Sequence, residues 1–192
     1  MVIGITGGVG CGKSTVMSIM KEKYGFILLE ADKIGHMLME PGQKVYKKIV
    51  EHFGMDILHL DGTIDRKRLG EIVFSDEIEL EYLNSLIHPG VREYIDNKLK
   101  ESMPNENFVI ESAILVEAGY KDICDQIWYI YVDESIRRTR LKSSRGYTNE
   151  KIDSILNNQL SDEEFRKNAD IIIDNSKSVE NTEFQIKKVV EF

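Results

Sequence analysis

Hydrophobic positions along the chain fall into short blocks whose period switches between strand-like and helix-like. Val2-Ile3-Gly4-Ile5-Thr6 is a continuous apolar run of the length of a buried parallel strand, and Ser14 to Met20 continues as a helix. Gly25 to Glu30 predicts a second strand, ending in acids. From Asp32 to about Pro104 the spacing is helical. Asp32 to Met39 runs to a stop at Pro41-Gly42, and Gln43 to Phe53 carries Val45, Ile49, Val50 and Phe53 on one face. After the turn at Asp61-Gly62, Thr63 to Phe74 has Asp65 as its cap, and Asp76 to Lys100 is one long helix or two, divided at Pro89. Strand character returns at Phe108 to Glu111 and most strongly at Gln126 to Asp133. Two polar helices, Glu134 to Ser144 and Asn149 to Gln159, follow around Gly146-Tyr147. Ala169 to Asp174 is a last strand and Val179 to Val190 a closing helix. Strands that alternate with helices predict a three-layer α/β sandwich around a mostly parallel five-stranded sheet, with a helical insertion.

Between the first strand and its helix stands Gly7-Gly8-Val9-Gly10-Cys11-Gly12-Lys13-Ser14, a complete G-x-x-x-x-G-K-[ST] phosphate loop. Strand, loop, helix is the order this chemistry requires, and it makes the fold a phosphate-loop NTPase sandwich. Glycine lets the backbone turn at positive φ, so that Gly8, Gly10, Cys11, Gly12, Lys13, Ser14 and Thr15 are the expected ATP-binding stretch. Lys13 is expected to bridge the β- and γ-phosphates and the Ser14 hydroxyl to ligate Mg2+ directly. Cys11 fills a slot that any small side chain fits. A thiol there also stands at a helix N-terminus, where thiolate is favoured, and an exposed one would be alkylated unless ATP protected it.

Other residues read in two ways from the sequence. Asp32, just past the second strand, can take the proton of an acceptor hydroxyl or cap its helix. Glu111 ends the third strand and can hold a magnesium-bound water or be a solvated acid. His88 and Arg92 fall four apart on one helix face, toward a substrate or toward solvent. Ser135 to Arg145 carries five positive side chains within nine residues; Arg137, Arg138 and Lys142 read as a solvated face.

Composition narrows the partners. Lys and Arg number 25 against 33 Asp and Glu, a net charge of −8, which argues against nucleic acid. Only Cys11 and Cys124 are present, so no disulfide framework is expected and a reducing cytoplasm is the natural compartment. No apolar run approaches 18 residues and no apolar segment precedes the first strand, so neither a membrane span nor a secretion signal is expected. No stripe reads as an interface, which leaves a monomer as the default.

Beyond the phosphate loop, an ordered series of segments resembles the dephospho-coenzyme A kinase family almost end to end. Glu30-Ala31-Asp32, Pro41-Gly42, Phe53-Gly54, Asp61-Gly62-Thr63-Ile64-Asp65-Arg66, His88-Pro89 with Val91-Arg92, Glu117-Ala118-Gly119, Arg140-Leu141, Gln159 and Asp174-Asn175 carry the resemblance. It implies transfer of the ATP γ-phosphate to the ribose 3′-hydroxyl of dephospho-CoA. It also implies a nucleotide-binding core (1–31, 105–134, 167–192), a helical CoA-binding region (32–104) and a lid (135–166). Asp32 then matches the acidic residue at the acceptor, His88, Arg92 and Glu117 face dephospho-CoA, and Arg140 is the lid arginine that meets the ATP phosphates. The family's commoner pattern repeats Arg four residues later, where Ser144 stands here, and Arg145 is expected to take that place. Glu111 stands where relatives more often have Asp, and the segment Glu111 to Glu117 lacks their Pro and aromatic. The rival readings are another small-molecule or nucleoside monophosphate kinase on the same core, or a GTP-dependent switch. The latter is opposed by the absence of a guanine-specifying Asn-Lys-x-Asp.

Overall fold

The computed structural model describes residues 1–112, 114–115 and 119–191. Glu117, expected at the acceptor, lies outside the described residues. The chain forms two compact units, Met1–Leu29 with Asn105–Phe192, and Glu30–Pro104.

The first unit is built on a five-stranded sheet in the order β2-β3-β1-β4-β5, with β1 Val2–Thr6, β2 Ile27–Glu30, β3 Phe108–Glu111, β4 Gln126–Tyr131 and β5 Ile171–Asp174. β1 runs parallel to β3 and β4, and β4 parallel to β5, with Ile5 opposite both Glu111 and Trp128. The predicted α/β sandwich is therefore correct. Strand residues alternate between the two faces. Ile3, Ile5, Val109, Trp128, Ile130 and Ile173 form one core with Val16, Met17, Ile19 and Met20 of α1 (Lys13–Tyr24) and Ile186 of the C-terminal helix Val179–Val190. On the other face a side chain at Gly4 would meet Ile127, Cys124 and Leu115 within 3.1 Å, so glycine lets the layer close there.

In the second unit, α2 (Ala31–Leu38), α3 (Lys44–Phe53), α4 (Arg66–Val73) and α5 (Glu77–Lys100) pack around Val45, Ile49, Ile57, Ile64, Leu69, Val73 and Leu83. Asp65 caps α4 as predicted, accepting from the Lys67 and Arg68 N–H groups. That helix starts later than Thr63 because Ile64 instead bridges to Leu58 and Asp65 N–H donates to Ile57 O. Pro89 does not divide α5. It lies on the exposed side of the helix, while Leu83, Val91 and Ile95 are buried. Beside it, Gly90 lets Val45 approach to where a Cβ would stand only 2.9 Å away.

After β4 come α6 (Glu134–Arg145) and α7 (Asn149–Asn157), then α8 (Asp162–Asn168), which the apolar pattern does not reveal. Its single buried residue is Phe165, stacked on Tyr129 at 4.9 Å between centroids. Burial raises the pKa of the Tyr129 hydroxyl, which keeps its proton and donates it to Asp162 at 2.9 Å. Ser161 and Glu164 close a capping box at the start of α8. The final helix, Val179–Val190, is α9.

Candidate active site

Parallel strands deliver their following loops to one edge of a sheet, and here β1 lies between β3 and β4, so its loop opens where the strand order reverses. The phosphate loop leaves β1 at Gly7 and enters α1 through Gly12, the N-cap, whose φ of 84° is left-handed. A Cβ at Gly12 would lie 2.2 Å from Asn175 Nδ2, so the position excludes any side chain on both counts.

The bonding of this loop is lopsided. Gly7 O accepts from Lys13 Nζ at 2.9 Å. Gly8 O accepts from Cys11 N–H at 3.2 Å, and Gly12 O from the N–H groups of Thr15 and Val16 at 3.0 and 3.3 Å. Val9 O accepts from Arg137 Nε at 2.6 Å and Cys11 O from Asn175 Nδ2 at 2.9 Å. The N–H groups of Gly10, Gly12 and Ser14 donate to no acceptor among the described residues, while that of Lys13 turns to the Cys11 thiol. In a trans peptide C=O and N–H point in opposite directions, so tying a carbonyl back aims the next N–H out. With five of its carbonyls occupied and three of its N–H groups open at a helix N-terminus, the loop has the bonding of an anion cradle. Of the expected donors, Cys11, Lys13 and Thr15 are engaged inside the loop.

Lys13 Nζ also stands 3.5 Å from the Glu111 carboxylate at the end of β3, and the two side chains are 16 and 15 % exposed. Ser14 is exposed beside them. A cavity of about 550 Å³ opens on the loop, with Gly7, Val9 and Lys13 on one side and Asn158, Gln159 and Phe165 on another.

Asn175, just past β5, is a site residue that the sequence pattern shows only as a strand-end amide. It is buried, and its Oδ1 accepts from the fully buried Thr182 hydroxyl at 2.8 Å while Nδ2 holds Cys11 O. Asn175→Ala leaves Cys11 O unpaired and the Thr182 hydroxyl with only its longer bond to Ser178 O, and is expected to cost about 1–3 kcal/mol of stability. Denaturant unfolding of the variant measures this, and an unchanged midpoint would exclude the brace.

α6 separates the arginines. Arg140 Nη2 donates to Asn175 O at 2.9 Å, beside Gly12. Arg145 ends the helix with its guanidinium 5.9 Å from the centre of the Tyr147 ring. Arg138 pairs with Glu134 and Asp153 at 2.8 and 2.7 Å. Arg137 is not on a solvated face as expected. It lies three residues before Arg140, on the same side of the helix, and packs against the loop at Gly8 and Val9.

The exposed, reactive version of Cys11 is also excluded. The residue is 2 % exposed and burial pushes its thiol pKa up, against the pull of Lys13. Native protein treated with iodoacetamide below pH 9 is expected to leave Cys11 unmodified, and unfolded protein to label it fully; peptide mapping checks both. Rapid native labelling would contradict this placement.

Within the second unit, Asp32 is the second residue of α2 and is exposed; Glu30 takes the N-cap position, so Asp32 is not the cap. His88 and Arg92 lie one turn apart on the unbroken α5. His88 is exposed, and Arg92 Nε donates to Asp96 at 2.9 Å. Among the described residues no helix is long and apolar enough to cross a membrane.

A family model described as Dephospho-CoA kinase matches residues 1–181. The chain is 39 % identical over 192 residues to dephospho-CoA kinase of Carboxydothermus hydrogenoformans, covering 99 % of this chain and 93 % of that protein. It is 38 % identical to the Oceanobacillus iheyensis enzyme of the same name, covering 100 % and 96 %. Among solved structures, dephospho-CoA kinase from Campylobacter jejuni matches with a TM-score of 0.74 and 30 % identity over 99 % of this chain and 95 % of that one.

Proposed function

Because the chain belongs to the dephospho-CoA kinase family, we propose that its Gly7–Ser14 loop carries the phosphates of ATP while Asp32 orients the acceptor hydroxyl. The protein is an ATP-dependent kinase that phosphorylates the ribose 3′-hydroxyl of dephospho-CoA, the final step of coenzyme A biosynthesis. What supports the phosphate assignment most is the bonding of the loop, with the carbonyls of Gly7, Gly8, Val9, Cys11 and Gly12 tied back and the N–H groups of Gly10, Gly12 and Ser14 open.

Phosphoryl transfer needs alignment, neutralisation of charge and a group to receive the acceptor proton. In this reading the backbone from Gly8 to Thr15 cradles the phosphates, and Lys13 spans the β- and γ-phosphates. Arg140 meets them at the Asn175 end of the loop, with Arg145 as a second contact. The Asp32 carboxylate accepts the proton of the 3′-hydroxyl. His88, Arg92 and Glu117 hold dephospho-CoA.

The donors near the loop are hard oxygens, the Ser14 hydroxyl and the Glu111 carboxylate, and the described residues contain no cluster of three His, Cys, Asp or Glu. So sparse a set suits Mg2+, which keeps several waters and takes other ligands from phosphates. Ser14 would hold it directly and Glu111 through water. When bound, Mg2+ neutralises charge on the β- and γ-oxygens. The acidic chain suits small nucleotide ligands rather than nucleic acid, a chain with only two cysteines suits a reducing cytoplasm, and a monomer is the default.

ADP release from magnesium-ATP tests the acceptor, with dephospho-CoA, AMP, adenosine or nothing added. Turnover is expected with dephospho-CoA alone. Comparable turnover with AMP would leave the phosphate site standing and reject the acceptor.

A further inference from the structure

We propose that Arg137 and Gln159 are positioning residues that grip Val9 of the phosphate loop from both sides and thereby set the affinity for ATP. The proposal rests on the assignment of that loop to the phosphates.

Val9 joins two consecutive peptide planes, and each is held by a different side chain. In the Gly8–Val9 plane, the Val9 N–H donates to Gln159 Oε1 at 3.2 Å. In the Val9–Gly10 plane, Val9 O accepts from Arg137 Nε at 2.6 Å. Arg137 Nη2 then donates to the same Gln159 Oε1, which closes a ring of three side-chain bonds around one residue. The ring fixes the orientation of the Gln159 amide, because only its oxygen can accept from two donors. The guanidinium also packs against the loop; a Cβ at Gly8 would fall 2.2 Å from Nη2.

The consequence is directional. Holding Val9 O back on Arg137 points the Gly10 N–H the opposite way, and Gly10 N–H is one of the three open donors named above. Glycine at position 10, with φ of 86°, offers little resistance to a rotation of that plane. Without Arg137, a turned plane would present the Val9 carbonyl dipole to the phosphates in place of an N–H. Gln159 prevents the adjoining plane from following. Lysine could not replace Arg137, since an ammonium on a single stem lacks the fork that reaches Val9 O and Gln159 together.

The full-length protein and its variants R137M, R137K, Q159L and R137M/Q159L are titrated with magnesium-ATP by calorimetry. Steady-state constants for both substrates and unfolding midpoints are measured alongside. R137M and Q159L are each expected to weaken ATP binding about tenfold, the scale of a lost charge-assisted hydrogen bond. The KM for dephospho-CoA stays within twofold, a split that general loosening of the fold would not produce. R137K is expected to lose as much as R137M, and it carries the test if R137M does not fold. The double variant is expected to lose less than the product of the single losses, because both side chains act through one residue. A loss below threefold in R137M and R137K, wild-type affinity in R137K, or losses that multiply in the double variant would overturn the proposal. Lys13→Ala separates this outcome from failure of the phosphate assignment. If K13A binds ATP like the wild type, the loop is not the nucleotide site. If K13A loses binding while the Arg137 variants do not, only the grip on Val9 is wrong.

Discussion

Lys13→Ala is expected to lower kcat by ~10³-fold or more, the scale of losing a main electrostatic contact to a transferring phosphoryl group. Two features of the site make the loss large. Lys13 Nζ is held 2.9 Å from Gly7 O, so its charge is fixed over the loop before any nucleotide arrives. It also stands 3.5 Å from Glu111, and its removal exposes that carboxylate to an incoming polyanion. Repulsion is then added to the lost attraction. Lys13 lies at the first turn of α1 and fills no apolar core, so the unfolding midpoint is expected to hold within about 1 kcal/mol. Single-turnover transfer from magnesium-ATP to dephospho-CoA, with unfolding as control, measures both. A loss under tenfold in a folded variant would remove Lys13 from the chemistry.

Arg140→Ala is expected to come next, with kcat lowered ~10³-fold, the lower end of what an arginine at a transferring phosphate supplies. Its guanidinium is anchored on Asn175 O beside Gly12, at the end of the loop where α1 begins. Arg145→Ala is expected to lose far less, about tenfold at most, because Arg145 sits at the exposed end of α6 against Tyr147. The two variants assayed side by side for kcat at saturating ATP decide the matter. Equal large losses would mean that the second contact, Arg145, matters to the transfer as much as Arg140. Equal trivial losses would take α6 out of the transfer step.

The parts of the site written in consecutive residues were legible in the sequence. The phosphate loop needs one turn of backbone and one helix start, so Gly7 to Ser14 declares its own geometry. Asp65 could be named as a cap because capping acts over three residues. Arg137, Gln159 and Asn175 could not be found in that way. Their partners lie 128, 150 and 164 residues away, and local spacing is silent on which strand neighbours which. A run of arginines on a helix usually faces water, and only the packing of α6 on the loop separates Arg137 from Arg138. Helix α8 was missed because its one apolar residue gives no period. The Ser161–Glu164 capping box was the available sign.

Pro89 shows the opposite failure, a local break overruled by packing. Losing one hydrogen bond in α5 costs less than separating the buried side chains on either side of it.

Taken alone, the sequence determined an alternating α/β chain, a phosphate loop between its first strand and helix, and the family whose reaction that loop serves. These rest on short-range periodicity, on backbone conformations that only glycine adopts readily, and on an ordered series of motifs. Tertiary structure decided the strand order β2-β3-β1-β4-β5, the closeness of Glu111 to Lys13, the burial of Cys11, and which side chains hold the loop from behind. The reason is physical: an open loop donor is aimed by whatever binds the carbonyl behind it, and those partners come together only when the sheet and its helices have packed.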